Sequence, residues 1–324
     1  MRNKPYLLTA LLILTCILGP RTTASAQTNS SNQQPDVASL IQNLADADEI
    51  ERGSSMDQLE QINDPDVLVP PVLAALDKVD PRDAWKLLDV LARFTDSVKS
   101  EPLIRLARRS DPPPTTLKPQ LISMGDRARV PLVNAIDDAC TTWKPAPPIS
   151  NSETDSEDAD SHNQAEHSQN FLYWASNALA DMGSAGLNNL MQMLRGHNAC
   201  QQNAAQFGHT QYALGVTPTL DPHVVRGLSD ALAAADPTIQ KAAVAVVETM
   251  IGFGRATLSP EMTKSLFAIL KTHPDAEARR AAFGLLRRAK GDTPSRAAEI
   301  ASHDTDESIQ NAAADFLENL PRPR

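Results

Sequence analysis

The pattern Ile-Gln-x-Ala-Ala is written twice in this chain, at Ile239 to Ala243 and at Ile309 to Ala313, with the variant Ala278-Arg279-Arg280-Ala281-Ala282 between them. Around the first copy, Ile239, Ala242, Ala243, Val246, Val247 and Met250 fall at i, i+3, i+4, i+7, i+8 and i+11, one stripe of a 3.6-residue helix. Ala278, Ala281, Ala282, Leu285 and Leu286, then Ile309, Ala312, Ala313 and Phe316, fill the same template. A helix that is apolar on one side only needs a neighbour for that side, and a chain that repeats it is restricted to stacked helices. The stripe residues are therefore read as packing positions, buried and silent except through stability.

Helix starts are punctuated as regularly as the stripes. Asp64-Pro65, Asp80-Pro81, Asp221-Pro222 and Asp236-Pro237 each place a capping carboxylate before a proline whose missing N–H costs nothing at the first helical position. Ser259-Pro260 does the same, and Asp304 with Glu307 has the spacing of a capping box. The second helices align with each other too: Met124-Gly125 and Met182-Gly183 both end a helix, and Leu132 and Ile136 match Leu190 and Leu194. Strand signals are nearly absent at 4% aromatic content.

Anchors at Ile50, Ala84, Leu117, Phe171, Gln206, Ile239, Ala278 and Ile309 are spaced by 31 to 39 residues, except for one step of 54 from Leu117 to Phe171. That step contains Pro145 to Gln169, proline-led, then serine- and acid-rich without apolar period, which reads as a disordered acidic insertion. Removing these roughly 25 residues returns the step to about 30.

These residues resemble the HEAT and HEAT-like repeat family, over most of residues 35 to 320. The resemblance implies an all-α chain, an α-solenoid of about seven or eight antiparallel helix pairs, whose second helices line a curved surface for a protein or peptide partner. Trp85, Lys86 and Leu87 depart from it by interrupting the alanine pair of one repeat.

The N-terminus reads as an export signal. Arg2 and Lys4 precede an apolar run from Tyr6 to Leu18, Gly19-Pro20 breaks it, and Ala24-Ser25-Ala26 offers a small-x-small cleavage site. The run is too short for the ~20-residue helix that crosses a bilayer. Leu14-Thr15 before Cys16 fits a lipoprotein signal poorly. The expected organisation is a signal at 1–26, a flexible segment at 27–34, repeats at 35–144, the insertion at 145–169, repeats at 170–320 and a tail at 321–324, in a periplasmic or secreted protein. Cleavage leaves two cysteines, Cys140 and Cys200, in a compartment where disulfides persist, and their pairing is expected on that ground.

Of 30 Lys/Arg and 40 Asp/Glu, three cations and no anion lie in the signal, so the mature chain has 27 against 40. Such a chain is repelled by phosphate backbones and anionic lipid, which argues against nucleic acid, and the mature chain has no membrane span. The net charge favours a partner of basic character.

No chemistry is written in recognisable form. There is no Gly-x-Ser-x-Gly, no Gly-rich phosphate loop and no Cys-x-x-Cys. Some helical-repeat proteins are di-iron hydroxylases with His-Glu dipeptides, and none occurs here. His162 and His167, with Asp158, Asp160 and Glu166 nearby, could ligate a divalent ion, but the flanking composition implies no preformed geometry. The same run lacks the turn glycine of a calcium loop. No catalytic residue, metal ligand or cofactor is nominated. Arg279, Arg280, Arg287, Arg288 and Lys290 form the one basic patch, read as a solvated face opposite the alanine stripe. A non-enzymatic interaction scaffold is the expectation, with Asn134, Asp138, Asn189, Arg226 and Lys264 as the polar positions to inspect. The alternative is an accessory or catalytic subunit in envelope chemistry, lyase-like or a cofactor-attachment helper, as in some HEAT-like families.

Overall fold

The computed structural model describes residues 36–46, 49–143, 156–215, 221–254 and 257–319. The expected signal at 1–26, the segment at 27–34, the first part of the expected insertion and the expected tail at 321–324 lie outside the described residues. The unit from Val37 to Arg324 contains sixteen helices and no strand among the described residues.

In chain order these are α1 (Val37–Asp46), α2 (Glu49–Gln61), α3 (Pro65–Leu76), α4 (Ala84–Ala92), α5 (Ser100–Arg109) and α6 (Leu117–Met124). Then follow α7 (Asp126–Thr142), α8 (Ser156–Asp181), α9 (Ser184–Leu194), α10 (Ala199–Gly215) and α11 (Pro222–Leu232). The last are α12 (Pro237–Gly252), α13 (Pro260–Thr272), α14 (Ala276–Leu286), α15 (Thr293–Ala301) and α16 (Glu307–Glu318). They stack in two layers. Even-numbered helices follow one another from α4 to α16. Odd-numbered ones run from α1 to α7 and from α9 to α15, and α7 packs on α8 and α10 where the two runs meet. Among the described residues this is an α-solenoid of eight helix pairs.

The core is the predicted stripe. Ile239, Ala242, Ala243, Ala278, Ala282, Ile309 and Ala313 are all buried, as are Leu132, Ile136, Leu190 and Leu194 of the second helices. Ala281 and Ala312 are not: both are half-buried because α12, α14 and α16 leave a groove over them, whereas Ala242 at the equivalent position of the first copy is fully buried. Ile50 also departs from its reading as an anchor, at 83% exposed.

The second and third letters of Ile-Gln-x-Ala-Ala have separate tasks. Gln240 Nε2 donates to the carbonyl of Ala234 six residues back at 2.7 Å, Gln310 donates likewise to Asp304, and Gln202 Nε2 reaches Gly196 at 2.7 Å. In the variant repeat Arg279 Nη1 takes that place, donating to His273 at 2.9 Å. Each closes the turn before its own helix by engaging a carbonyl there. The x residue reaches forward: Lys241 Nζ lies 2.8 Å from Asp275, the N-cap of α14, and Arg280 pairs with Asp306, the N-cap of α16, at 3.6 Å.

Capping follows the sequence at Asp64, Asp221, Asp236 and Ser259, each accepting a backbone N–H in the first turn. Asp80 accepts the N–H of Arg82 in a turn, and α4 starts later, after Asp83. Asp306, not Asp304, caps α16, since Asp304 is engaged by Arg279. Gly125 and Gly183 take φ of 57° and 72°, a backbone region that favours glycine and lets each first helix turn into its second.

The acidic insertion is shorter than its composition indicates. α8 begins at Ser156, so residues 156–169, expected to be disordered, are helical. Phe171 and Leu172 are buried and anchor α8, and extension from a formed helix avoids the cost of nucleation. At its packed end His167 Nε2 lies 2.7 Å from the carbonyl of Arg108, and Nδ1 lies 3.6 Å from Asp111.

Candidate partner-binding surfaces

Cys140 on α7 and Cys200 on α10 have sulfurs 2.04 Å apart and Cα atoms 5.5 Å apart, across the junction of the two odd-numbered runs. Beside them Gln201 Nε2 donates to Asp137 at 2.6 Å.

Of the polar positions singled out in the sequence, the structure brings two together. Arg226 on α11 and Lys264 on α13 line a groove of about 900 Å³ with Val225, Ala268, Asp230 and Glu261. A smaller hollow of about 280 Å³ toward α9 continues it, and Arg226 and Asp230 wall both. Asp230 is engaged by Arg195 at 3.0 Å. Glu261 is held below the usual carboxylate range by its own backbone N–H and by the Ser259 hydroxyl. Arg226 and Lys264 have no ion pair among the described residues and are exposed. Asn134 and Asp138 are exposed on α7, outside this groove. Asn189 is taken by a structural bond, accepting from Arg129 Nη1 at 2.6 Å.

The basic patch separates into different roles. Arg279, read as a solvated cation, is buried: its guanidinium holds both oxygens of Asp304, at 2.8 and 2.9 Å. Arg287 lies over the rings of Phe283 and Phe316. Among the described residues the charges without an ion pair in the α11 and α13 groove are Arg226 and Lys264 against Glu261, so the basic partner inferred from net charge does not follow from this surface.

No protein-family model and no curated protein matches the chain. Among solved structures it is similar to the karyopherin Kap121p bound to the SUMO protease Ulp1p, at 14% identity and a TM-score of 0.40, over 87% of this chain. It spans 37% of that karyopherin's length. A designed armadillo repeat protein in complex with the peptide (KR)4 aligns at 16% identity and a TM-score of 0.27, covering 87% of this chain and 98% of the other. No residue role passes between chains at such distances.

Two features carry no motif in the sequence. Trp85, 49% exposed, borders a hollow of about 580 Å³ with Pro112, Pro113, Pro114 and Arg82. An exposed tryptophan beside an arginine is the composition of a binding hot spot. Its signal was the interruption of the alanine pair at Trp85. His209 on α10 is fully buried with no hydrogen-bond partner at either ring nitrogen among the described residues, and burial lowers its pKa to about 4. A lone histidine inside an alanine-rich helix gives no sequence signal of that burial.

Proposed function

We propose that this chain is an exported protein-binding scaffold that performs no chemistry of its own and holds a protein or peptide partner against its odd-numbered helices. Support for export is the Arg2-Lys4, apolar run and Ala24-Ser25-Ala26 sequence. The observation that carries the binding reading is the α11 and α13 groove, which Arg226 and Lys264, without an ion pair among the described residues, line together with Val225 and Ala268. Exposed cations with apolar ground between them give both orientation and buried area to a partner. The test is affinity capture from the exported fraction with the mature chain as bait, beside an Arg226→Glu, Lys264→Glu variant. A protein retained by the first and lost by the second supports the reading. Equal recovery, or none, contradicts it.

A further inference from the structure

A second groove, of about 540 Å³, lies on the other layer over α12, α14 and α16. Its floor is made of the positions that the sequence pattern places in the core: Ala281 and Ala312, with Ala245 and Gly284. A Cβ built on Gly284 meets nothing within 4 Å, so the floor is open above it. Small side chains make room without specifying an occupant. The charges around them specify one.

Lys241, Arg280, Arg287, Arg288, Glu248 and Glu277 border the groove. Lys241 is engaged by Asp275 and Glu277 at 2.8 and 3.0 Å, and Arg280 by Asp306 at 3.6 Å. Arg287 and Arg288 have no ion pair among the described residues, and a single carboxylate, Glu248, is unpaired beside them. The Arg287 guanidinium carbon lies 5.6 Å from the Phe283 ring centre and 5.8 Å from that of Phe316. Those two rings meet edge to face at 6.4 Å. They restrain the guanidinium without using its N–H groups, so little side-chain freedom is left to lose when a carboxylate arrives. Arg288 Nη1 lies 3.7 Å from a Cβ built on Gly252, at the C-terminal end of α12, where the helix dipole favours a cation.

We propose that this groove docks an acidic protein segment, with carboxylates on Arg287 and Arg288 and an apolar side chain on the floor of Ala281, Gly284 and Ala312. Two arginines without an ion pair among the described residues, Arg287 held over two rings and Arg288 at the end of α12, are a local reversal of sign on a chain of net charge −10, which repels basic segments and orients acidic ones. The proposal shares with the scaffold reading only the class of ligand, and it places that ligand on the opposite layer.

The experiment is fluorescence anisotropy of the full chain with two labelled peptides, one alternating glutamate and leucine, the other lysine and leucine. The acidic peptide is expected to bind and the basic one not. Arg287→Gln and Arg288→Gln are each expected to weaken the acidic peptide roughly tenfold, the loss of a charge-assisted hydrogen bond. Ala281→Trp is expected to abolish binding by filling the floor, with the helical circular dichroism signal retained. Arg288→Gln changes an exposed side chain, so it remains informative if Ala281→Trp does not fold. Preference for the basic peptide, no binding of either, or binding lost on Arg226→Glu and kept in both arginine variants would overturn the proposal. None of these results alters the capture experiment on the odd-numbered layer, so the two readings fail separately.

Discussion

Arg279 and Asp304 form a two-point ion pair with only 10% and 4% of their side chains exposed, joining α14 to the turn before α16. Arg279 also donates to the carbonyls of His273 and Pro274, so one guanidinium closes its own turn and grips the next repeat. Removing it leaves a buried carboxylate unpaired. Arg279→Ala is expected to cost roughly 3 kcal/mol in urea unfolding. Arg280→Ala, which removes an exposed pair with Asp306, is expected to cost under about 1 kcal/mol. Equal losses would contradict the distinction between clamp and surface pair.

Acid is expected to destabilise the chain in two stages. His209 has a folded pKa lowered from 6.5 to about 4, so between those values the unfolded chain binds the extra proton and stability falls as pH falls. The shift corresponds to about 3 kcal/mol. Asp304 is held below the usual carboxylate range by the hydrogen bond from Arg279, and its contribution is lost at lower pH still, as the medium falls through that depressed pKa. His209→Leu is expected to remove the first stage and to leave stability at pH 7 equal or higher, because no hydrogen bond is lost. Thermal melts across pH 4 to 7 measure this. An unchanged pH slope in the variant contradicts it.

The alanines of the repeat divide into two classes that substitution separates. Ala243 and Ala282 are fully buried, and Ala243→Leu or Ala282→Leu is expected to cost 1–3 kcal/mol, roughly, through overpacking. Ala281→Leu and Ala312→Leu project into the α12, α14 and α16 groove and are expected to melt within a few degrees of the parent. Melting temperatures for the four variants decide it. A large loss at Ala281 would place that residue in the core after all.

Much of this architecture is legible because packing and capping are local. Ile239, Ala242 and Ala243 follow from periodicity, and Asp236 before Pro237 from capping chemistry, with no knowledge of distant residues. What escaped depends on three-dimensional proximity. Nothing near Arg279 in sequence announces that Asp304 will take it out of solvent, and Ala281 is half-buried in a groove that α12, α14 and α16 form only together. Composition misjudged 156–169, since an acidic, serine-rich segment can extend a helix that Phe171 and Leu172 already anchor. The grouping of Arg226 with Lys264 was open to sequence only as a pair of polar second-helix positions.

Cys140 and Cys200 are 60 residues apart and meet where the two odd-numbered runs join. A bridge closing such a loop contributes about 4 kcal/mol in the chain-entropy account. Non-reducing electrophoresis is expected to show a mobility shift on adding reductant, and Cys140→Ala is expected to lower the melting temperature and abolish the shift. Identical mobility and melting with and without reductant contradict a bridge.

The groove over α11 and α13 is proposed to hold a protein partner. A photo-crosslinking residue at Ser265, which lines that groove, tests it against the same residue at Gln58 on the even-numbered α2. One discrete adduct is expected from Ser265, absent from Gln58 and lost when Arg226→Glu and Lys264→Glu are added. No adduct at Ser265, or the same adducts at both positions, would contradict it.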